Sequence, residues 1–166
     1  MTKLLPLGLV LLLAGCTTLG TTKPTLTTKP ANNLVLDEVD MPFWTQTTSA
    51  PSQPDAPGLT SGWYTVFAKP DQGLQASSFA FVFNTAENAT HYYTTSENTL
   101  NTDAQRGASP HKGDASAFWE GPSGSGQILL MRESNVVWKL HQYRADTNDR
   151  WGHNLPELAD YVLEKL

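Results

Sequence analysis

The sequence predicts an α+β domain: a mainly antiparallel sheet of about five strands, two helices packed on one face, and a disordered N-terminal tether before it. Three observations carry that prediction. Several runs alternate apolar and polar side chains with the two-residue period of a half-buried strand, Trp63–Ala68 and Val136–Tyr143 most regularly. The links between most neighbouring strands are short, which suits antiparallel pairing. Two other stretches carry helix start signals, and the predicted order is β-β-α-β-β-β-α.

The N-terminal segment, residues 1–15, stands apart from that domain. Lys3 supplies a cation, and Leu4 to Leu13 is an apolar run of ten residues interrupted only by Pro6 and Gly8. A bilayer-spanning helix needs ~20 residues, so this is a targeting segment and not a membrane span. Small Ala14 and Gly15 follow, then Cys16, the single cysteine. Leu13-Ala14-Gly15-Cys16 and the run before it resemble the signal sequence and lipobox of bacterial lipoproteins, over residues 1–16 only. The resemblance implies cleavage after Gly15, a thioether from Cys16 to diacylglycerol, and acylation of the new amino group. Thr17, where a retention signal would place Asp, implies an outer-membrane location facing the periplasm. The alternative is an ordinary secretory signal followed by a chance cysteine. An exported chain with one unpaired thiol argues against it, unless that thiol is used up. One acyl chain binds a bilayer marginally, whereas two or three on Cys16 would hold it permanently.

Residues 16–32 read as the anchor and a Thr/Pro-rich linker. Thr-Thr-Lys-Pro occurs at 21–24 and again at 27–30, a composition that builds no core and favours extended polyproline II. At ~3.1 Å per residue, residues 17–30 would span roughly 45 Å as a spacer. The remainder, 33–166, reads as a single globular domain. The whole chain's 16 acidic against 11 basic side chains, with no Lys/Arg cluster, exclude nucleic acid as a partner. Removing Lys3 with the leader takes the net charge from −5 to −6. Attachment to a membrane would therefore come through the lipid on Cys16.

Within the domain, Leu34 to Val39 reads as an additional strand broken by Pro42. Thr45 to Gly58 reads as a Pro-rich surface loop with Pro51, Pro54 and Pro57 at intervals of three. Trp63–Ala68, the turn Lys69-Pro70-Asp71-Gln72-Gly73 and the run Phe79, Phe81, Phe83 form an expected hairpin. Asn84 or Thr85 caps a helix from Ala86 to about Tyr93. The polar stretch 94–116 is either a continuation of that helix toward Arg106 or a mobile loop. A short strand closes at Phe118 and Trp119, and Gly121 to Gly126 is a connection. Gln127–Arg132 and Val136–Tyr143 are strands joined by Glu133-Ser134-Asn135. After a loop bearing Trp151 comes the clearest helix. Asn154 sits at its cap with Glu157 three residues on, Pro156 lies in the first turn, and Leu155, Leu158, Ala159, Val162 and Leu166 share one face.

Two helices on one side would leave a second sheet face carrying Tyr64, Val66, Val82, Leu129, Met131, Val137 and Tyr143. That face is too apolar for water and needs a cover: the chain's own 34–44 segment, a second copy, or a partner. The expected binding face is Tyr64, Val66, Met131, Val137 and Tyr143, with Trp44 and Trp151 edging it. Catalysis, if present, would use His111 with Asp103, Asp114 and Arg106 of the 94–116 stretch. The four histidines have no ligand spacing, and the Gly121–Gly126 segment precedes a strand, without the Lys-Ser/Thr of a phosphate loop. No metal and no cofactor is expected. The leading expectation is a binding domain for an envelope protein or a small ligand. A tethered hydrolase-like enzyme using 94–116, and a purely structural envelope lipoprotein, are the alternatives.

Overall fold

The computed structural model describes residues 25–121, 126–144 and 154–166. It is an α+β fold built on one seven-stranded, wholly antiparallel sheet: β1 (Thr45–Pro51), β2 (Leu59–Lys69), β3 (Leu74–Phe83), β4 (Gln105–Arg106), β5 (Ala115–Glu120), β6 (Gly126–Glu133) and β7 (Val136–Arg144). The spatial order is β1-β2-β3-β7-β6-β5-β4. Two meanders, β1 to β3 and β4 to β7, therefore meet where β3 pairs with β7, in a register that sets Phe79 opposite Lys139 and Ala80 opposite Trp138.

That order explains the length of α1 (Ala86–Asp103). The chain leaves β3 in mid-sheet and re-enters at β4 on the far edge, four strand spacings away, or about 19 Å. A helix ending at Tyr93 would reach about 12 Å, whereas 18 residues reach about 27 Å. The crossover thus resolves the 94–116 stretch, whose first part continues the helix. Its exposed surface is polar, and three threonine hydroxyls donate back to carbonyls a turn earlier, Thr90 to Ala86, Thr99 to Thr95 and Thr102 to Thr99. Thr85 is the cap, its hydroxyl accepting from the Asn88 amide at 3.1 Å.

The helices lie on opposite faces, which corrects the expectation of one shared face. Alternation along β3 sends Phe79, Phe81 and Phe83 one way and Leu74, Ala76, Ala80 and Val82 the other. Ala89 and Tyr93 of α1 pack with Phe81, Phe83, Ala117, Trp119, Leu130 and Val137. The second helix, α2 (Leu155–Leu163), buries Leu155, Leu158, Ala159 and Val162 on the other face, against Val82, Leu129, Met131, Val136, Trp138 and Leu140. Asn154 holds its N-cap position without a side-chain capping bond, and Leu166 lies beyond the helix end. The 34–44 segment joins α2 as a cover through Leu34, Val35, Leu36, Met41 and Trp44. It is not a strand. Its amides and carbonyls are met by side chains from the sheet: Ser78 Oγ accepts from the Leu36 amide, and Thr65 Oγ1 donates to the Leu36 carbonyl. The Trp138 indole donates to the Leu34 carbonyl.

Two further differences concern the edges. The Pro-rich 45–58 stretch contains the edge strand β1, paired with β2 from Thr45 opposite Ala68 to Pro51 opposite Trp63. Its Thr/Ser composition and terminal proline suit an edge, where one side faces water and a missing donor is tolerated. Residues 25–30, read as spacer, are docked as a strap across the β6–β7 turn. Asn135 Oδ1 accepts from the Thr27 amide at 2.8 Å, Asn135 Nδ2 donates to the Thr27 carbonyl at 3.1 Å, and Ser134 Oγ donates to the Thr25 carbonyl.

Candidate functional site

α1 crosses only part of its face. Where it lies, Phe81, Phe83, Val137, Leu130, Ala117 and Trp119 are buried. Away from it the same face emerges through Phe79, Ile128, Lys139 and His141, all half-buried, to Tyr143, which is 47% exposed. Tyr64 and Val66 extend the surface on β2, because Tyr64 stands opposite Phe79 and Val66 opposite Ser77. The rings form a ladder: Tyr64 stacks on Phe79 at 5.4 Å, Phe79 on Phe81 at 6.3 Å, and Phe81 meets Tyr92 of α1 edge-on at 5.2 Å. One end of the ladder is wet and the other lies under the helix.

Lys139 sits at the centre of this half-open face, flanked across the strands by Phe79 and Leu130. Among the described residues no carboxylate pairs with it. Burial alone pushes its ammonium below the ordinary lysine value. Two residues on, burial and then the neighbouring Lys139 charge push His141 below the ordinary imidazole value, favouring its neutral form. A lysine ammonium partly stripped of water and lacking a counter-charge attracts an anion more strongly than an exposed one. The aromatic ladder beside it offers flat apolar contact. The surface thus sets a cation beside flat apolar area.

Of the residues expected to form a binding face, Tyr64, Val66 and Tyr143 do share it. Val137 lies on the same side but is buried beneath α1, and Met131 and Trp44 are buried in the core of the opposite face. Trp151 and Cys16 fall outside the described residues. Phe79, Ile128, Lys139 and His141 were not expected at a site. Strand period alone places Lys139 and His141 in line with Val137 and Tyr143, and a lysine in mid-strand was the signal available.

Of the four catalytic candidates, the structure describes the side chains of Asp114, Arg106 and His111. The Asp114 carboxylate accepts from Arg132 Nη1 and from the Ser134 amide, each at 2.9 Å. Arg106 pairs with Glu97 at 2.6 Å and lies 5.9 Å from the Trp119 ring centroid. Asp103 closes α1, and its side chain is outside what the structure describes. His111 and Asp114 line one shallow cavity of about 370 Å³, together with Tyr93, Glu97, Ser109 and Ser116, and Glu97 is the partner of Arg106. Its hydroxyls serve the loop: Ser109 Oγ donates to the Ser116 carbonyl, and Ser116 Oγ accepts from the Lys112 amide. Burial, followed by the Glu97 charge, holds the Tyr93 phenol at about 12, so it stays protonated. Bracing of the 107–116 turn accounts for these contacts.

No family model matches the chain, and no curated protein matches it. Among solved structures it is similar to the extracellular domain of PknH from Mycobacterium tuberculosis. The TM-score is 0.55 at 13% identity, covering 81% of this chain and 95% of that one. At that identity the likeness is one of fold. Among the described residues, no helix is long and apolar enough to cross a membrane.

Proposed function

We propose that this chain is a lipid-anchored envelope protein, held at the outer membrane by acylated Cys16 and facing the periplasm, whose domain is a binding module. Its ligand or protein partner presents an anionic group to Lys139 and a flat apolar body to Tyr64 and Phe79. The observation that carries this reading is the Lys139 ammonium, which no carboxylate among the described residues pairs, inside an aromatic sheet face. The leader and lipobox supply the anchor, and a fold shared with the extracellular domain of PknH supports an envelope-side setting.

The test is photo-crosslinking in intact cells, with the reactive side chain at position 64. The expected result is one dominant adduct that Lys139→Met abolishes. An adduct pattern indifferent to Lys139→Met would overturn the role of this face. For the anchor, Cys16→Ser is expected to release the protein from the membrane fraction, and unchanged detergent partitioning would sink it.

A further inference from the structure

Lys139 and His141 stand two residues apart on β7 and therefore share one side of the strand, with their backbones about 7 Å apart. Both side chains are half-buried. Ser77 of β3 and Ile128 of β6 lie opposite His141, and Gly126 comes next to Ile128 on this side of β6. A Cβ at Gly126 would stand 3.7 Å from His141 Nε2, so that nitrogen looks onto a place where β6 carries no side chain. Among the described residues, no hydrogen bond engages either ring nitrogen or the Lys139 ammonium. Two such nitrogens side by side suit one acidic group with two oxygens.

The other titratable and charged groups on this face are few. β7 adds Tyr143 and β2 adds Tyr64, while β3 presents the neutral Ser77 and Phe79. β6 adds Arg132, whose guanidinium pairs with Asp114. β5 presents Ala115, Ala117 and Trp119. α1 contributes Tyr92, Tyr93 and Glu97, the last paired with Arg106 of β4. After burial, Lys139 is the charge that acts on His141, and both oppose its protonation. With no carboxylate among the described residues to balance them, two cations here repel until an anion arrives.

We infer that His141 is a second, proton-gated contact for the acidic group held by Lys139, so that this face captures an acidic segment of a protein partner more tightly as the pH falls. The inference rests on the reading of this face given above and adds its regulation. An acidic group between the two side chains removes the repulsion that keeps the imidazole neutral, and capture therefore takes up a proton. Linkage is reciprocal: if protonation tightens capture tenfold, capture raises the imidazole midpoint by about one pH unit. The window opens below the ordinary imidazole value near 6.5 and closes near 4, where a partner's carboxylate is itself protonated. The occupant follows from charge complementarity and from width. The open face runs from Tyr64 on β2 to Ile128 on β6, three strand spacings or about 14 Å, and ends at an exposed Tyr143. A small ligand needs a cleft that encloses most of its surface, whereas a face this wide and open is covered by another protein's surface.

Benzenesulfonate is the probe, a flat ring whose anionic charge is constant over the pH range in question. Its binding to the full acylated protein in nonionic detergent is followed by the His141 imidazole proton resonance at about pH 5.5 and about pH 7.5, on either side of the ordinary imidazole value. Expected are binding about tenfold tighter at the lower pH and an imidazole midpoint raised by about one unit at saturation. The neutral methyl phenyl sulfone is expected to bind equally at both. His141→Gln, followed through the Tyr64 ring resonances, is expected to bind benzenesulfonate equally at both pH values. Gly126→Val, which crowds Nε2 and leaves both cations in place, is expected to shrink the gain. An acid-side gain that survives in both variants would overturn the role of His141. Wild-type binding that depends on Lys139 but not on pH would overturn the proton gate and leave the face's reading intact. Binding indifferent to Lys139→Met would overturn that reading as well. Crosslinking from position 64 in intact cells is expected to add the mass of a protein, more abundantly at the lower pH in the wild type alone. An adduct of small-molecule mass would overturn the protein occupant.

Discussion

Asn135 and Thr27 exchange two hydrogen bonds across 108 positions of chain, the Asn135 amide acting toward the strap as a neighbouring strand's backbone would. The same Asn135 Nδ2 donates to the Phe83 carbonyl at 2.6 Å, and the residue is 2% exposed. One side chain thus joins strap, β3 and the β6–β7 turn.

Asn135→Ala is expected to lower stability by about 2–3 kcal/mol, because it leaves buried backbone groups unpaired. Urea unfolding at constant m-value is the measurement. Deleting residues 17–24 should leave the melting temperature unchanged, whereas deletion through residue 30 should lower it. Equal melting temperatures for the two truncations would mean that the strap contributes nothing.

Lys165 and its two aspartates give a pH dependence of known sign. Burial pulls the Asp37 carboxyl up, but the Lys165 hydrogen bond and the Val39 and Asp40 amides outweigh it and bring it below its ordinary value. Burial likewise pulls Lys165 down, and the hydrogen bonds and charges of Asp37 and Asp40 more than reverse it. The carboxylate's share of stability is present above its unfolded pKa and lost in acid, below about pH 4. The ammonium's share is complete below about pH 10.5 and lost as the pH rises through its folded value. Lys165→Met is expected to destabilise by about 1 kcal/mol at neutral pH and by less at both extremes. Thermal melts from pH 3 to pH 11 check this.

Lys139→Met should separate stability from binding. The lysine's folded pKa lies below its unfolded value, so its charged form opposes folding, and methionine is expected to stabilise the domain slightly, by less than about 1 kcal/mol because water still screens a partly exposed group. The same change should abolish partner capture. His141 adds an acid-side effect: its depressed folded pKa makes stability fall as the pH drops below about 6.5, and His141→Gln should flatten that slope. A destabilised Lys139→Met protein would show that the ammonium serves the fold.

Gly62 lies where β1's outgoing chain crosses close above β2. A Cβ there would stand 1.9 Å from the Ser52 carbonyl oxygen and 3.1 Å from the Phe81 ring. Gly62→Ala is expected to displace the end of β1 and lower the melting temperature by several degrees. An unaltered melt would show that the edge strand yields freely.

Strand alternation in β2, β3 and β7 and the apolar face of α2 were legible in the sequence, because side-chain period is a local property of backbone geometry. Period two sorts side chains onto two sides of a strand, but it carries no information on which element covers each side. The expectation of one shared helical face therefore failed: α1 and α2 part company, burying Val137 on one face and Met131 on the other. Only the sheet order required α1 to run on to Asp103. Composition likewise made spacer of a Thr-Thr-Lys-Pro unit, since its docking depends on hydrogen bonds from Asn135 and Ser134 more than a hundred residues away. The half-open face emerged the same way, from a helix that crosses the sheet and stops covering it before Lys139.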